Sequence, residues 1–216
     1  MSTVSTRRKI TTKTIRARKG KTKITSLTAY DYPTAKLVDA ARVDVILVGD
    51  SLGMVVLGYP DTTHVTVDDM VHHTKAVSRA RPNGLLVADM PFLSFGVTRS
   101  ETILNAGRLI REGGAEAVKL EGGVRVKDDI RALVECQIPV MGHVGLTPQS
   151  VHHFGGFRVQ GKKDDDADQV VRDAVAVQEG GGFSVVLEGI PAPLGARITR
   201  EIDIPTIGIG AGGECD

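Results

Sequence analysis

The chain has 216 residues, long enough for a single domain that buries roughly 70% of its unfolded surface. Its 27 lysines and arginines nearly balance 26 aspartates and glutamates, and only 4% of its residues are aromatic, so neither nucleic acid nor a membrane surface is indicated as a partner. No apolar run could cross a bilayer, and two cysteines without a CxxC motif predict a reducing compartment, most simply the cytoplasm.

Residues 1–23 are predicted to form a basic N-terminal arm or helix, since every charged side chain before Asp31 is basic. The segment lacks the apolar core of a secretory signal. Its Thr- and Arg-rich composition without acids is also typical of an organellar transit peptide, which leaves a mitochondrial location as an alternative. Residues 24–216 show no domain linker and are predicted to form one domain.

Seven short apolar segments, rich in β-branched residues, alternate with helical patterns along this domain. They show little polar alternation, which is typical of parallel strands covered on both faces. In chain order they are residues 23–29, 44–49, 85–89, 117–121, 138–143, 184–188 and 204–211. Alternation of strands and helices predicts an α/β fold.

The helix signals lie between these strands. Thr66 with Asp69 forms a capping-box pattern, and Asp31 followed by Pro33 is typical of another helix start. Apolar side chains at helical spacing predict three core-facing stripes. These are Val67, Met70, Val71 and Val77, then Ile103, Leu104 and Ile110 before Gly113, then Val170, Val171, Ala174 and Val175 before Gly180.

Five successive predicted strands end at an ionisable side chain, namely Asp50, Asp89, Glu121, His143 and Glu188. In an open doubly wound sheet, neighbouring strands lie about 4.8 Å apart, so these five groups would spread over about 20 Å. In a closed barrel they would face one mouth, where barrel enzymes place their chemistry. The pattern therefore favours a (β/α)8 barrel over an open sheet.

Asp50, Asp89 and Glu121 supply three oxygen ligands without a cysteine or histidine cluster, which favours Mg²⁺. Lys119 lies two residues before Glu121, so both side chains should share one face of the strand. A buried lysine needs an anionic partner, either a substrate carboxylate with the local acids or, alternatively, a structural pair with Glu121. Glu188, from a strand further round the barrel, is a candidate general base.

His143 and Ser51 are predicted to hydrogen-bond to the substrate or to a developing oxyanion. Taken together, these residue types predict a metal-assisted enolisation of a small oxo-acid, in which a metal ion polarises the carbonyl and a base removes an adjacent proton. These residues do not indicate which electrophile reacts with the enolate.

Longer motifs carry a family resemblance. They read "LTAYDYPTAKLVDAARVDVILVGDSLGMVVLGY", "VTVDDMVHHTKAV", "AVKLEGG", "IPVMGHVGLTPQSVHHFGGFRVQGK" and "IPTIGIGAG". From about Ile10 to Asp216 the chain resembles the ketopantoate hydroxymethyltransferase family. The resemblance implies a (β/α)8 TIM barrel of the phosphoenolpyruvate/pyruvate superfamily type, and a homo-oligomer that is commonly a decamer.

The resemblance also implies a reaction and its residues. A Mg²⁺-dependent enzyme would transfer the one-carbon unit of 5,10-methylenetetrahydrofolate to 3-methyl-2-oxobutanoate, giving 2-dehydropantoate for pantothenate and coenzyme A biosynthesis. By motif, the metal-site acids fall on Asp50, Asp89 and Glu121, and the proton acceptor falls on Glu188. The substrate-binding residues are the two aspartates together with Ser51, Lys119 and His143.

The chain departs from the family pattern in three places. "MPFLSFG" follows Asp89 where the family has a sequence such as "LPFGSY", and "GIP" follows Glu188 in place of "VP". The family also continues beyond "GIGAG" into an eighth strand and further helices. Residues 24–216 are therefore predicted to form a barrel that is incomplete at its C-terminus, with an open seam and exposed strand edges.

Two alternative functions remain. One is a Mg²⁺-dependent C–C lyase of the isocitrate lyase type, which would need a reactive cysteine in a mobile loop. Cys136 at a predicted helix end and Cys215 near the end of the sequence argue against it. The other is an inactive structural fragment, against which the intact set of acids argues.

Overall fold

Seven parallel strands, each paired with the next one in the chain, form the frame of the molecule. The structure is a computed structural model and describes residues 8–216, so the first seven residues of the predicted basic arm lie outside the described residues. All seven predicted strands are confirmed. They are β1 (Ser26–Thr28), β2 (Val45–Val48), β3 (Leu85–Asp89), β4 (Ala117–Glu121), β5 (Val140–Gly145), β6 (Ser184–Glu188) and β7 (Thr206–Ile209).

Within residues 8–216, at least one helix follows each strand from β1 to β6, and one short helix precedes β1. They are α1 (Thr12–Arg16), α2 (Tyr32–Ala40), α3 (Leu52–Val55), α4 (Val67–Ser78), α5 (Arg99–Arg111), α6 (Lys127–Glu135), α7 (Val151–Phe154), α8 (Asp164–Glu179) and α9 (Ala192–Glu201). Three 3-10 turns, Thr62–His64, Val124–Val126 and Pro148–Ser150, lie in the loops. No helix within residues 8–216 is long and apolar enough to cross a membrane.

The strands separate two apolar layers, because successive side chains point to opposite faces of a sheet. Val45, Leu85 and Val87 belong to an inner cluster on the lumen side of the barrel. Ile46 and Leu120 belong to an outer cluster between the sheet and the helices. Burial on both faces explains why the strands read as continuous apolar runs.

The described part of the N-terminal segment covers the amino-terminal end of the barrel. Ile10 and Ile15 are buried in the inner cluster, and the backbone N–H of Ile10 donates to the carbonyl of Asn83 just before β3. Several of its basic side chains pair with acids of the barrel at 2.6–2.8 Å, namely Lys9 with Glu116, Arg18 with Asp44 and Lys19 with Asp216.

The barrel is nearly closed. Strands β1 and β7 are the two edges of the sheet, and no eighth strand lies between them in residues 8–216. The backbone N–H of Ile24 donates to the carbonyl of Asp216 at 2.7 Å, so the two edges approach each other beneath the open seam.

The helix predictions hold with one exception. Thr66 caps α4 through the predicted box with Asp69, and Asp31 caps α2. In α5, however, the buried side chains are Thr102, Ala106 and Leu109, whereas Leu104 is exposed. The prediction that Leu104 faces the core was wrong, because packing against the neighbouring helices selects a stripe that contains a threonine.

Gly142 in β5 is required for the packing of α8 on the sheet. A Cβ at this position would lie 2.5 Å from both methyl groups of Val177. We therefore expect Gly142→Ala to lower the free energy of unfolding by about 1–3 kcal/mol, as overpacking does in other cores. Urea denaturation would measure the change.

A matched control is Gly107→Ala in α5, where no atom lies within 4 Å of the added Cβ. Alanine has a higher helix propensity than glycine, so this change should raise the free energy of unfolding by about 0.5–1 kcal/mol. Equal stability of the two variants would contradict the packing argument.

Candidate active site

The barrel brings all seven predicted site residues to one cavity at the carboxyl ends of the strands. The cavity has a volume of about 690 Å³ and reaches the open seam between β1 and β7. Its wall includes Asp50, Ser51, Asp89, Lys119, Glu121, His143 and Glu188. The structure therefore brings the seven side chains together, and their roles stay predictions.

Strand register places the site residues side by side. Asp89 and Lys119 are opposite each other on β3 and β4, and Glu121 and His143 are opposite each other on β4 and β5. Residues opposite each other on neighbouring strands point to the same face, so all four side chains enter the lumen. Asp50 lies two residues beyond the end of β2 and reaches the same cavity from its loop.

Lys119 is buried and makes its direct ion pair with Asp89, at 3.0 Å between Nζ and Oδ1. The alternative prediction, a direct pair with Glu121, is not the arrangement seen. Burial lowers the pKa of Lys119, but the negative charges of Asp89, Glu121 and Asp50 outweigh burial and raise the pKa above its usual value. The side chain therefore carries a fixed positive charge in the cavity.

His143 connects Lys119 with two carboxylates. Its Nδ1 lies 3.1 Å from the Lys119 ammonium and 3.5 Å from Glu121, and its Nε2 lies 3.1 Å from Glu188. Because an ammonium only donates, Nδ1 accepts from Lys119 when the ring is neutral, which places the ring proton on Nε2, the nitrogen nearer to Glu188. Burial and Lys119 lower the pKa of His143, but Glu121 and Glu188 outweigh them and raise it.

Asp50 and Asp89 form a crowded acidic pair. The backbone N–H of Asp50 donates to Asp89 Oδ2 at 3.1 Å. Burial, followed by the charges of Asp89 and Glu121, raises the pKa of Asp50 to about 8. Burial also raises the pKa of Asp89, although Lys119 opposes the effect. The positive charge of Lys119 is therefore not sufficient to keep the pKa of either aspartate at its usual value.

Ser51 lies immediately before α3 and is held by a residue that the sequence did not point to. Its hydroxyl shares a hydrogen bond of 2.8 Å with the hydroxyl of Tyr30, and His73 Nδ1 lies 2.8 Å from the carbonyl of Tyr30. Tyr30 belongs to the motif "LTAYDYP", but nothing in its spacing indicates a contact with the site.

Gln149 is a second residue of the site that no sequence pattern indicates. It lies in the turn after β5, is buried, and donates from its side chain to Asp50 and from its backbone to Glu121. An uncharged glutamine in a loop carries no sequence signal of such a role, because its partners come from distant parts of the chain.

The donor set fits a hard divalent cation by its chemistry. Three carboxylates are buried together with one ammonium, and burial and mutual repulsion raise the pKa of Asp50, so an added cation would stabilise the ionised acids. As the side chains stand, no group of three or more His, Cys, Asp or Glu in residues 8–216 is arranged to hold an ion. Lys119 and Gln149 partner these acids instead. The magnesium site therefore stays a prediction.

Comparison with known proteins agrees with the geometry. A family model described as ketopantoate hydroxymethyltransferase matches residues 9–216. The 3-methyl-2-oxobutanoate hydroxymethyltransferase of Geobacter sulfurreducens is 61% identical over 194 residues, covering 90% of this chain and 73% of its own length. The enzyme of the same name from Syntrophus aciditrophicus is 57% identical over 217 residues, covering 100% of this chain and 80% of its own.

Solved structures share the fold at low sequence identity. A 2,3-dimethylmalate lyase, a member of the PEP mutase/isocitrate lyase superfamily, aligns with a TM-score of 0.65 at 19% identity over 91% of this chain and 68% of its own. A phosphonopyruvate hydrolase, solved with oxalate and Mg²⁺, aligns with a TM-score of 0.69 at 14% identity over 92% and 71%. The chain therefore has the barrel fold of this superfamily.

Proposed function

Since the chain belongs to the ketopantoate hydroxymethyltransferase family, we propose that it transfers a hydroxymethyl group from 5,10-methylenetetrahydrofolate to 3-methyl-2-oxobutanoate. With one water, the products are 2-dehydropantoate, used for pantothenate and coenzyme A, and tetrahydrofolate. The observation that carries the proposal is the gathering of all seven motif residues in one cavity of a chain whose curated relatives bear this enzyme's name.

Asp50, Asp89 and Glu121 are the residues that would hold Mg²⁺. When bound, the ion would supply polarisation of the oxo-acid's carbonyl, which makes the neighbouring C3 proton more acidic. The three acids are suited to this task because they are buried, fixed by hydrogen bonds and short of positive charge.

Lys119 and Ser51 are suited to bind the anionic substrate. The Lys119 ammonium is buried, carries a fixed positive charge and lies in the cavity wall, so a substrate carboxylate would find a charge partner there. The Ser51 hydroxyl, oriented by Tyr30, can donate to a carboxylate or carbonyl oxygen of the same substrate.

Glu188 is the proposed general base. Its side chain is 22% exposed, whereas those of Asp89 and Glu121 are 5% and 4% exposed, and it stands apart from the other acids beside His143. It would take the C3 proton of the oxo-acid, and the resulting enolate carbon would form a C–C bond to the one-carbon unit. The C–N bonds from that carbon to the folate break, water supplies the hydroxyl group, and tetrahydrofolate leaves. His143 Nε2 lies 3.1 Å from Glu188 Oε2 and can pair with this carboxylate.

The assembly and location follow as part of this proposal. Several large apolar side chains are exposed, including Leu37, Val55, Leu93 and Leu104, and a homo-oligomer would cover some of this surface. Both cysteines are free in the structure, which fits the reducing cytoplasm that the sequence predicts.

A direct assay tests the reaction. The purified chain would be incubated with 3-methyl-2-oxobutanoate, 5,10-methylenetetrahydrofolate and Mg²⁺, and 2-dehydropantoate would be measured by mass spectrometry. Formation of product that requires both substrates supports the proposal. Cleavage of a 2-methylisocitrate-like substrate without folate would favour the lyase instead, and neither activity nor Mg²⁺ binding would favour a structural role.

Lys119→Ala is expected to weaken binding of 3-methyl-2-oxobutanoate by about 10- to 100-fold, because a hydrogen bond to a charged group contributes about 1.5–3 kcal/mol. Mg²⁺ binding should change less, since the ammonium is not a metal ligand. Isothermal titration calorimetry of both ligands measures the two effects. Lys75→Ala, at an exposed position of α4, is the control and should change neither. A larger loss of Mg²⁺ than of oxo-acid affinity would favour a purely structural role.

A further inference from the structure

Gln149 is a buried amide at the centre of the barrel mouth. It lies in the 3-10 turn Pro148–Ser150 that follows β5. Its Nε2 donates to Asp50 Oδ2 at 2.8 Å and to the carbonyl of Met90 at 2.9 Å. Its backbone N–H donates to Glu121 Oε2 at 3.0 Å. Both side-chain partners are acceptors, so the orientation of the amide is determined by its hydrogen bonds.

These three hydrogen bonds connect the carboxyl ends of four successive strands. Asp50 follows β2, Met90 follows β3, Glu121 ends β4, and Gln149 itself follows β5. One oxygen of Asp50 and one of Glu121 are thereby held in place. The carbonyl of Met90 takes the second amide hydrogen and prevents rotation of the side chain.

The chemistry of the partner matters as much as its position. Asp89 is paired with the charged Lys119, whereas Gln149 is a neutral donor to Asp50 and Glu121. A neutral amide fixes the direction of a carboxylate without neutralising it, so the negative charge stays available to a cation. A lysine in place of Gln149 would satisfy the same oxygens but would compete with the ion.

We propose that Gln149 is a positioning residue that orients Asp50 and Glu121 for a divalent cation. This inference rests on the proposed function, because it takes these two acids as metal-site residues. Partners that hydrogen-bond to metal ligands typically change metal affinity by 10- to 100-fold when removed. The structure gives Gln149 the contacts of such a partner with two acids at once.

The test is Gln149→Met, which keeps the length of the side chain and the backbone N–H but removes the amide. Mn²⁺ is the probe, and its dissociation constant is measured by electron paramagnetic resonance on the full chain without substrates. We expect the dissociation constant to rise by about 10- to 100-fold. The melting temperature of the metal-free variant is measured alongside.

Ser150→Ala is the matched control in the same turn. It removes the hydrogen bond of 2.9 Å between Thr147 and Ser150 but touches neither acid. Mn²⁺ affinity should therefore be unchanged. An equal loss of affinity in both variants would show that the intact turn is needed rather than the amide, and would overturn the proposal.

The remaining outcomes separate this inference from the proposed function. If the wild-type chain binds Mn²⁺ and Gln149→Met binds it equally well, the positioning role is wrong while the metal site stands. If the wild-type chain binds no Mn²⁺, both the metal site and the role of Gln149 are wrong.

Discussion

Glu188→Gln should reduce the exchange of the C3 hydrogen of 3-methyl-2-oxobutanoate for deuterium by about 10²- to 10⁴-fold, the usual contribution of a general base. An amide has nearly the shape of a carboxylate but cannot accept the proton. The variant is expected to bind Mg²⁺ as the wild type does, because Glu188 stands apart from the acids that would hold the ion. Nuclear magnetic resonance in deuterated water measures the exchange without folate.

The matched control is Glu135→Gln, at an exposed position at the end of α6. It should leave the exchange rate unchanged. If Glu188→Gln exchanges the C3 hydrogen at the wild-type rate, another group removes the proton.

Asp50→Asn should weaken Mg²⁺ binding by at least about 100-fold, because loss of a direct ligand should exceed the 10- to 100-fold effect of losing its hydrogen-bond partner. Asparagine keeps an oxygen that can accept from Gln149, so the loop should be retained. Calorimetry of Mg²⁺ binding measures the change, and the exposed Asp203→Ala is the control. Unchanged affinity in Asp50→Asn would place the ion elsewhere.

The same variant should keep its stability without metal at pH 7. Burial and the neighbouring acids raise the pKa of Asp50 to about 8, whereas an unfolded aspartate has a pKa of about 3.9. The unfolded state therefore releases this proton at lower pH, and the native state loses stability as the pH rises between these two values. Asparagine has no such proton, so Asp50→Asn should melt at the wild-type temperature or above it at pH 7.

The sequence predicted the parts of the fold that depend on neighbouring residues. Residues 85–89, 117–121 and 184–188 were predicted as strands with their observed bounds, because a buried parallel strand needs a continuous apolar run. The capping box of Thr66 and Asp69 could also be predicted, since its hydrogen bonds join residues that are three positions apart in the chain. Ile103 and Ile110 pack against the core as predicted, but Leu104 is exposed, because the neighbours of a helix cannot be read from its own sequence.

The candidate site was predicted from the same local features. An ionisable residue at the end of each of several consecutive strands indicates a shared mouth, because parallel strands in a barrel all end on one side. That argument, with the family motifs, assigned Asp50, Asp89, Lys119, Glu121 and Glu188 to one cavity. The strand period of two correctly placed Lys119 and Glu121 on the inner face and Leu120 on the outer one.

The tertiary structure alone decided which of these groups touch each other. It paired Lys119 with Asp89 and placed Gln149 against Asp50, a residue 99 positions away in the chain. Periodicity and motifs describe neighbours along the chain, whereas such contacts arise from the curvature of the sheet and the paths of the loops after β2 and β5. The sequence by itself therefore determined the strands, the ionisable residues at their ends and the family. The closing of the barrel determined which of the site residues form hydrogen bonds with each other.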